Sequence, residues 1–390
     1  MTSSILFGAV GDVFINRPGG EAPFVHCDAA LGAADLVFGN AEGVYCDHPR
    51  RAITSGIPVV APRSQAAALA DVRFDVMSIA NNHTMDAGAE GLLDTIATLD
   101  GLGIAWVGAG ADLQQAQRAA VIERGGLKFA FLAYSAVFRP GYPARERAPG
   151  IAVMRAHSHY YHPDWHPTGQ LEPGTPPHVR TFPYPEDLEL LRDSIARELA
   201  QADRVIVSFH WGQTGPAILH DYERTYAHAA IDAGAHVVLG HHPHFLRAAE
   251  VYRGRPIYYG LGHFAFDLGG LEGTLGVAAL ATRRRLDPYG IFPRENYPLL
   301  PFHEDARMTM IAYCTLDTTD APGDAQPPGF LLPCVINAAN QPVPFSADSV
   351  PGKKVAAYLE QITTSQGLAT RYACDGPVIA GCTTLTVHPG

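Results

Sequence analysis

The sequence predicts an α/β fold in which parallel strands alternate with helices. Short apolar runs rich in β-branched residues, such as Val237–Leu239, are followed at once by a glycine and polar side chains, as in buried parallel strands. Amphipathic stretches with helical spacing separate several of these runs. The 390 residues are 47% hydrophobic, which is enough for a sizeable core. With no repeat and no clean linker, the pattern favours one large α/β domain.

The first part of the chain alternates predicted strands with two predicted helices. The strands are Ile5–Val10, Asp35–Phe38, Phe74–Ala80, Ile104–Val107 and Leu127–Tyr134, with a short extended piece at Val59–Ala61. One helix is predicted from Pro62 to Ala70. A second is predicted from Asp86 to Leu102, because apolar side chains recur there at helical spacing, and Gly103 is its natural stop.

Residues from about 135 to 185 interrupt this alternation with a stretch rich in proline and aromatic residues. The stretch also holds His157, His159, His162, His166 and His178. A loop this long inside a compact domain is typical of a lid or a binding loop. We therefore expect it to cover a concave site, and the alternative is a surface excursion whose histidines face water.

The alternation resumes at Pro185, where a helix begins with acidic residues at its positive end and an apolar stripe. The elements that follow are a strand at Arg204–Phe209, a helix at Asp221–Ala233, the strand Val237–Leu239, and a hairpin of Ala249–Tyr252 with Pro256–Tyr259. Beyond about residue 307 we expect two or three further strands and a helix at about 352–362.

Composition limits the partners that the chain can have. The net charge is −11 and the one cluster of basic residues is Arg283–Arg285, so neither nucleic acid nor an anionic membrane is an expected partner. Six scattered cysteines without a C-x-x-C pair fit reduced thiols, although Cys374 and Cys382 could pair in an oxidising compartment. With no recognisable targeting segment and no long apolar run, we expect a soluble, cytoplasmic protein and leave its oligomeric state open.

Ligand-type side chains follow five of the predicted strands. They are Asp12, Asn40 with Glu42, Asn82 with His83, His210, and His242 with His244. Each group alone is equally well explained by a helix cap, a turn or a polar loop. Because the ends of parallel strands meet at one edge of a sheet, their repetition predicts that they converge on a metal site. Imidazoles, amides and few carboxylates suit Mn²⁺, Fe²⁺, Zn²⁺ or Co²⁺ better than an all-oxygen Ca²⁺ cage.

The order and spacing of these groups resemble the calcineurin-type metallophosphoesterases, and more closely the branch named after the poly-γ-glutamate capsule-synthesis protein CapA. The matching segments are Gly11-Asp12, Gly39-Asn40-Ala41-Glu42, Asn81-Asn82-His83, His210-Trp211-Gly212 and His242-Pro243-His244. The resemblance covers about residues 5 to 270. It implies a four-layer α/β/β/α sandwich of the metallo-dependent phosphatase type. Residues 1–300 would form the core, with a lid insertion at about 135–185, and residues 301–390 would complete the same domain.

The resemblance also implies roles for individual residues. Metal ligands for one or two divalent ions would be Asp12, Glu42, Asn82, His210, His242 and His244. His83 would be a general acid or base beside the metal, and Asp12 and His263 are further candidates for catalysis. Substrate contacts are expected from Asn40, His241, Trp211 and the lid aromatics Tyr160, Tyr161 and Trp165.

Three positions depart from the family pattern. Phe14 stands where phosphoesterases place a histidine, two residues after the first aspartate. Glu42 replaces the second aspartate, and His263 replaces the asparagine usual before the Phe-Ala-Phe-Asp stretch. The loss of a ligand at Phe14 leaves open whether the site holds one ion or two.

Three functions remain open. Metal-activated water could hydrolyse an ester or amide while His83 protonates the leaving group. Because Arg247 is the one cationic residue close behind these strand ends, an uncharged peptide or γ-glutamyl amide is favoured over a phosphate ester. The first alternative is a metal-dependent peptide Cα epimerase, similar to the lasso-peptide epimerases, with His83 and His263 as its two bases. The second is a non-catalytic polyglutamate-assembly factor.

Overall fold

The computed structural model describes residues 4–17, 22–52, 56–161, 176–215, 218–271, 287, 289–317 and 329–390. The strands are β1 (Ser4–Phe14), β2 (Leu36–Ala41), β3 (Val44–Tyr45), β4 (Val60–Ala61), β5 (Val76–Ser78), β6 (Ala105–Val107), β7 (Ala109–Gly110), β8 (Ala120–Arg124), β9 (Leu127–Ser135), β10 (Gly150–Ile151), β11 (Ala156–Tyr161), β12 (His178–Pro183), β13 (Arg204–His210), β14 (Val237–His241), β15 (Ala249–Tyr252), β16 (Arg255–Tyr258), β17 (His263–Phe266), β18 (Met308–Asp317), β19 (Phe330–Ile336), β20 (Pro342–Pro344), β21 (Arg371–Ala373), β22 (Val378–Ile379), β23 (Cys382–Thr383) and β24 (Leu385–His388). The helices are α1 (Asp28–Gly32), α2 (Gly88–Gly101), α3 (Leu113–Ala116), α4 (Pro185–Leu199), α5 (Asp221–Asp232) and α6 (Val350–Ser365), with 3₁₀ helices at Arg63–Leu69 and Glu304–Arg307.

Two large sheets carry the fold. The first has ten strands in the order β21-β24-β19-β18-β1-β2-β5-β6, with β17 paired to β1 and β20 paired to β19. The second has six strands in the order β15-β16-β14-β13-β9-β8. Strands β1, β2, β5 and β6 run parallel to one another, as do β9, β13, β14 and β16.

Three apolar clusters show how the sheets and helices are layered. Side chains of both sheets, such as Phe38 and Phe131, stack on one another and form the cluster between the sheets. The outer face of the first sheet packs against α2 through residues such as Leu92, and the outer face of the second packs against α4 and α5 through residues such as Leu191 and Tyr226. The chain is therefore an α/β/β/α sandwich, and the expected fold class is confirmed.

The C-terminal elements extend the first sheet beyond the edge of the second. Strands β18, β19, β24 and β21 continue the ten-stranded sheet, and β18 pairs antiparallel with β1. Helix α6 contributes Val355, Leu359 and Ile362 to the same cluster that lies between the sheets. Its first turn is capped by the Ser349 hydroxyl, which accepts a hydrogen bond from the Gly352 amide.

Two predicted helices differ in type or extent from those observed. The stretch after Pro62 is a 3₁₀ helix from Arg63 to Leu69. Helix α2 begins at Gly88 rather than Asp86, because the Asp86 carboxylate accepts hydrogen bonds from Val59 and Tyr142 instead of capping the helix. The predicted hairpin is present, with Arg253 and Gly254 at φ +51° and +76°, as a tight two-residue turn requires.

The segment predicted as a lid contains regular structure where it is described. Strands β11 and β12 form an antiparallel hairpin, and β12 packs against α5. Tyr160 and Tyr161 on this hairpin are exposed. Trp165, His162 and His166 lie outside the described residues, and the lid remains a prediction.

Two further findings concern the pairing of the cysteines and the presence of membrane-spanning helices. All six cysteines are free thiols, so Cys374 and Cys382 are not paired. Within the described ranges, no helix has the length and apolar character needed to cross a membrane.

Candidate metal centre

Strand register brings the predicted ligands together at the C-terminal ends of central strands in both sheets. Asp12, near the end of β1, lies opposite Asn40 on β2 and opposite His263 on β17. In the second sheet His210 lies opposite His241. Gly11 permits the close approach of β1 to the residues before β17, since a Cβ at this position would lie 1.9 Å from the Gly262 carbonyl oxygen. The ligand-type residues thus come from two sheets that face each other, rather than from one.

Asp12 is fully buried and lies between an amide and two imidazoles. Its Oδ1 accepts a hydrogen bond of 2.9 Å from the Asn40 side chain. Its Oδ2 lies 3.2 Å from His244 Nδ1, and Oδ1 lies 3.4 Å from His241 Nδ1. Burial opposes ionisation of Asp12, but the two imidazoles outweigh burial and hold its pKa well below the usual value.

Glu42 is equally buried, and neither of its carboxylate oxygens has a hydrogen-bond partner among the described residues. Its Oε1 lies 3.5 Å from His210 Nε2 and 3.7 Å from His244 Nε2. Burial, followed by the negative charge of Asp12, raises the pKa of Glu42 well above its usual value. Two carboxylates this close without a cation favour protonation of one of them.

Three of the surrounding imidazoles, those of His210, His242 and His263, are held in the neutral form. Burial lowers the pKa of His210 well below the usual value, and the neighbouring His242 lowers it further. Burial lowers the pKa of His263 in the same way, and His244 adds to that effect. The pKa of His242 is lowered in the same way by burial and by His244. A neutral imidazole offers the lone pair that a metal ion requires.

The chemistry of the unpartnered atoms fits a divalent transition metal. At this site, several buried atoms have no hydrogen-bond partner within the described part of the chain: Asp12 Oδ2, both Glu42 oxygens, Nδ1 of His242 and His244, and both ring nitrogens of His241 and His263. Three groups of ligand atoms lie within 4.8 Å of one another: Asp12 with His244 and His263, Glu42 with His242 and His244, and Asp12 with Glu42 and His210. Asn82 adds an amide oxygen 2.6 Å from His210 Nε2. So many unpaired polar atoms are costly in an interior unless a cation binds them.

The ligand loop after β14 has a strained backbone. His242 and His244 adopt φ of +92° and +63°, a region that residues with bulky side chains rarely occupy. Pro243 lies between them. Such backbone strain persists where the surrounding structure imposes it, and it concentrates at functional sites.

A cavity of about 410 Å³ opens beside this centre. Its polar lining includes Asn82, His83, Arg139, His242 and His244. The remaining lining is largely apolar, with Ile57, Val59, Phe266, Leu268, Ile291 and Phe302 among its residues. The described cavity therefore joins the metal donors to a pocket that can bury part of a substrate.

His83 is held in place at the cavity wall. Its Nδ1 lies 2.7 Å from Asp86 Oδ2, and the other carboxylate oxygen of Asp86 accepts a 2.9 Å hydrogen bond from the Tyr142 hydroxyl. The Asp86 side chain is fully buried, whereas the His83 side chain is 13% exposed. This arrangement fixes the ring of His83 and leaves its Nε2 available for proton transfer.

Several predicted site residues lie behind the cavity rather than at it. Trp211 is buried, stacks on Phe209 with 4.5 Å between ring centroids and donates its indole N–H to the Tyr259 carbonyl. Its side chain therefore packs in the interior, and the expected substrate contact stays a prediction. Asn40 and His241 are also buried, beside Asp12, where they can orient the ligands but not contact a substrate.

Three further residues discussed from the sequence, His263, Phe14 and Tyr160, do not line the described cavity. His263 is fully buried and is not among the residues that line the cavity. Phe14, at the position where a ligand is missing, packs in an apolar cluster with Tyr45 and Phe266. Tyr160, on the exposed hairpin, is likewise not part of the cavity lining.

Sequence reasoning missed Asp86, Tyr142 and Arg139. Asp86 could have been found from its place three residues after His83, but the other two lie in an irregular segment without a recognisable pattern. The expected cation, Arg247, is turned away, with its guanidinium donating to the carbonyls of Ile218 and Gln213. It is Arg139 that brings a positive charge to the cavity.

Comparisons with known proteins show the family of the chain. A family model described as bacterial capsule synthesis protein PGA_cap matches residues 5–268. PGA biosynthesis protein CapA of Bacillus subtilis is 30% identical over 271 residues, which are 67% of this chain and 63% of that protein. Capsule biosynthesis protein CapA of Bacillus anthracis is 28% identical over 274 residues, which are 69% of this chain and 59% of that protein.

The match thus spans somewhat less than two thirds of the length of these relatives. The family model nevertheless covers well over half of the 390 residues, including every strand end that carries a ligand-type side chain. The chain belongs to the bacterial capsule synthesis protein family PGA_cap, which includes the CapA proteins.

Proposed function

We propose that the chain is a metal-dependent hydrolase that cleaves a peptide or γ-glutamyl amide. The observation that carries the proposal is the cavity itself, which brings a metal donor set, a fixed histidine and an arginine to one surface. Relatives named for capsule and PGA biosynthesis make a polyglutamate-related substrate the natural choice.

The residues that would hold the metal are Asp12, Glu42, Asn82, His210, His242 and His244. A divalent transition-metal ion bound there would polarise the scissile carbonyl and lower the pKa of a water molecule. Asn40 orients Asp12 through its 2.9 Å hydrogen bond and also lies 3.4 Å from His210 Nδ1. The chain's own contribution at this point is to hold the donors close together and out of bulk water.

His83 would act as the general acid. With Nδ1 bound to Asp86, its Nε2 can deliver a proton to the nitrogen of the departing amine. Asp86 is a positioning residue, because it touches His83, Val59 and Tyr142 but does not line the cavity.

Arg139 would bind a carboxylate of the substrate. In a γ-linked glutamyl unit the amide is formed by the side chain, so each unit keeps a free α-carboxylate close to the scissile bond. Among the described residues no carboxylate lies within ion-pair distance of the Arg139 guanidinium, and its Nε has no partner. A guanidinium can bind such a group through two parallel hydrogen bonds.

Hydrolysis is better supported than epimerisation. Epimerisation at Cα requires basic groups on both faces of the substrate. His83 lines the cavity, but the second candidate, His263, does not. A non-catalytic assembly role remains the competing proposal, since the names of the relatives describe biosynthesis rather than a reaction.

The test is mass spectrometry of γ-linked and α-linked glutamyl oligomers after incubation with the metal-loaded protein in deuterated water. We expect cleavage of the γ-linked oligomer. A gain of one mass unit without cleavage would replace the hydrolase with an epimerase. An unchanged γ-linked oligomer, in the presence of bound metal, would contradict the proposed substrate and favour an assembly role.

His83→Asn separates chemistry from binding in this assay. We expect the rate to fall by about 10²–10⁴-fold, the usual contribution of a positioned general acid, while bound metal stays unchanged. His388→Asn is the matched control, since His388 lies near the C-terminus and far along the first sheet from the site. An equal rate for the two variants would remove His83 from the mechanism.

A further inference from the structure

We propose that His263 is a metal ligand and that it completes a second ion position with Asp12 and His244. The inference rests on the metal site of the proposed function, but it does not depend on which reaction that site performs.

The first observation is the isolation of the His263 ring. The residue is fully buried, and neither ring nitrogen has a hydrogen-bond partner within the described part of the chain. A neutral imidazole carries one N–H donor and one lone pair, and leaving both unpaired in an interior costs free energy. By contrast the buried His236 has a partner, because its Nδ1 accepts a 3.1 Å hydrogen bond from the Val205 amide. A metal ion bound to the ring of His263 would account for its missing hydrogen-bond partners.

The second observation is where the fold places this ring. His263 begins β17 and lies opposite Asp12 in the parallel pairing with β1. Its ring stacks on that of His244 with 4.5 Å between centroids. Ligand atoms of Asp12, His244 and His263 all lie within 4.8 Å of one another. A carboxylate with two neutral imidazoles is a common ligand set for divalent transition metals.

The third observation is that His263 lies behind the described cavity. It is not part of the described cavity lining, and Phe266 and Phe302 pack against it at 5.1 and 4.3 Å between ring centroids. A general base must come within hydrogen-bond reach of the proton that it removes. The position suits a ligand behind the reacting surface.

The groups of close ligand atoms overlap, since Asp12 also lies near Glu42 and His210, and His244 also lies near Glu42 and His242. With His263 included, the donors can nevertheless be assigned to two sets without using any residue twice. One set is Asp12, His244 and His263, and the other is Glu42, Asn82, His210 and His242. We expect two ions per chain from this assignment. Phe14, two residues after Asp12, packs in the apolar cluster and need not supply a donor.

The test measures metal binding in the absence of any substrate. Cobalt titration with visible absorption gives affinity and ligand environment, and elemental analysis gives the number of ions per chain. For the unmodified chain we expect two ions. His263→Phe should fold, because its ring joins the existing cluster of Phe266 and Phe302, and it should bind one ion tightly. The affinity for the second ion should fall by more than about 10–100-fold, because loss of an outer-shell partner alone has an effect of that size and His263 is a direct ligand.

His236→Asn is the control, since it changes a buried histidine that belongs to none of the ligand groups. His263→Asn provides a second variant with a polar side chain, in case the phenylalanine disturbs the fold. Two tightly bound ions in both His263 variants, with the cobalt spectrum unchanged, would overturn the assignment. An unmodified chain that binds one ion or none would overturn it as well, whereas intact metal binding without hydrolysis would contradict only the proposed function.

Discussion

The proposed proton transfer depends on the orientation of the His83 ring, which a hydrogen bond of 2.7 Å between Nδ1 and Asp86 holds in place. Asp86→Asn keeps the size of the side chain but removes the charge that fixes the ring of His83. We expect kcat to fall about 10–100-fold, as for other residues that orient a functional group, with KM little changed.

Tyr142→Phe is the graded comparison, because it removes one hydrogen bond to Asp86 and leaves the carboxylate in place. We expect a smaller loss from it than from Asp86→Asn. If Asp86→Asn instead lowers bound metal along with activity, its role is structural and not the positioning of His83.

His236 makes stability depend on pH. Burial, together with the charges of Arg255 and Arg204, lowers its pKa to about 3 in the folded protein. In the unfolded chain the pKa returns to about 6.5. Between these values the unfolded state binds the extra proton, so this contribution to stability is complete above pH 6.5 and is lost as the pH falls towards 3.

His236→Asn should remove that loss while keeping an acceptor for the Val205 amide. Urea unfolding at pH 7 and pH 4.5 provides the measurement. The decrease in unfolding free energy between the two pH values should be smaller in the variant, by at most about 1.4 kcal/mol for each pH unit. Identical decreases in the two proteins would show that His236 is not the titrating group.

At the scale of elements, the close approach of β1 to the residues before β17 depends on Gly11. Gly11→Ala places a Cβ 1.9 Å from the Gly262 carbonyl oxygen, and both partners are backbone that cannot rotate away. We expect a loss of about 1–3 kcal/mol in unfolding free energy, as for other overpacked interiors. Metal affinity should fall as well, because Asp12 and His263 come from the two elements that are pushed apart.

Gly32→Ala is the matched control for Gly11→Ala. Gly32 ends α1, is exposed, and would place its Cβ in open space. Replacing a helical glycine in this way should leave stability unchanged or raise it by up to about 1 kcal/mol. Equal effects of the two substitutions would mean that the approach at Gly11 is not tight.

The elements themselves were largely predictable because their periodicity is strong. Helix α4 has its apolar stripe at helical spacing, and β13 and β14 read as continuous apolar runs. The start of α2 could not be predicted, because Asp86 is recruited by distant groups such as Tyr142 and those contacts leave no local pattern. For the same reason the sequence pointed to Arg247 as the nearby cation, while the fold brings Arg139 to the cavity.

For the molecule as a whole, the metal centre joins the two sheets. Asp12 and Glu42 follow strands of the first sheet, whereas His210, His242 and His244 follow strands of the second. Strand ends could be read from the sequence one by one, and the resemblance supplied the sandwich that brings them together. Which side chains face the cavity and which lie behind it, as Trp211 does, depends on packing between layers and could not be read from spacing.

Removal of metal should therefore destabilise the whole domain. An ion that binds only the folded state adds about 2.7 kcal/mol when its concentration is 100 times its Kd. We expect a chelator to lower Tm, and excess Mn²⁺, Zn²⁺ or Co²⁺ to restore it. Calorimetry with and without chelator makes the measurement, and a Tm that does not respond to any of these ions would argue against a metal link between the sheets.

The left-handed backbone at His242 and His244 also affects how an ion enters the site. Because such strain persists only where the surrounding structure imposes it, we expect the loop to keep this shape with or without an ion. Little chain entropy then remains to be lost on binding, which is the advantage of a preorganised site. The slow step in loading should be the ion's release of its own hydration water, and the loop should have the same shape before and after.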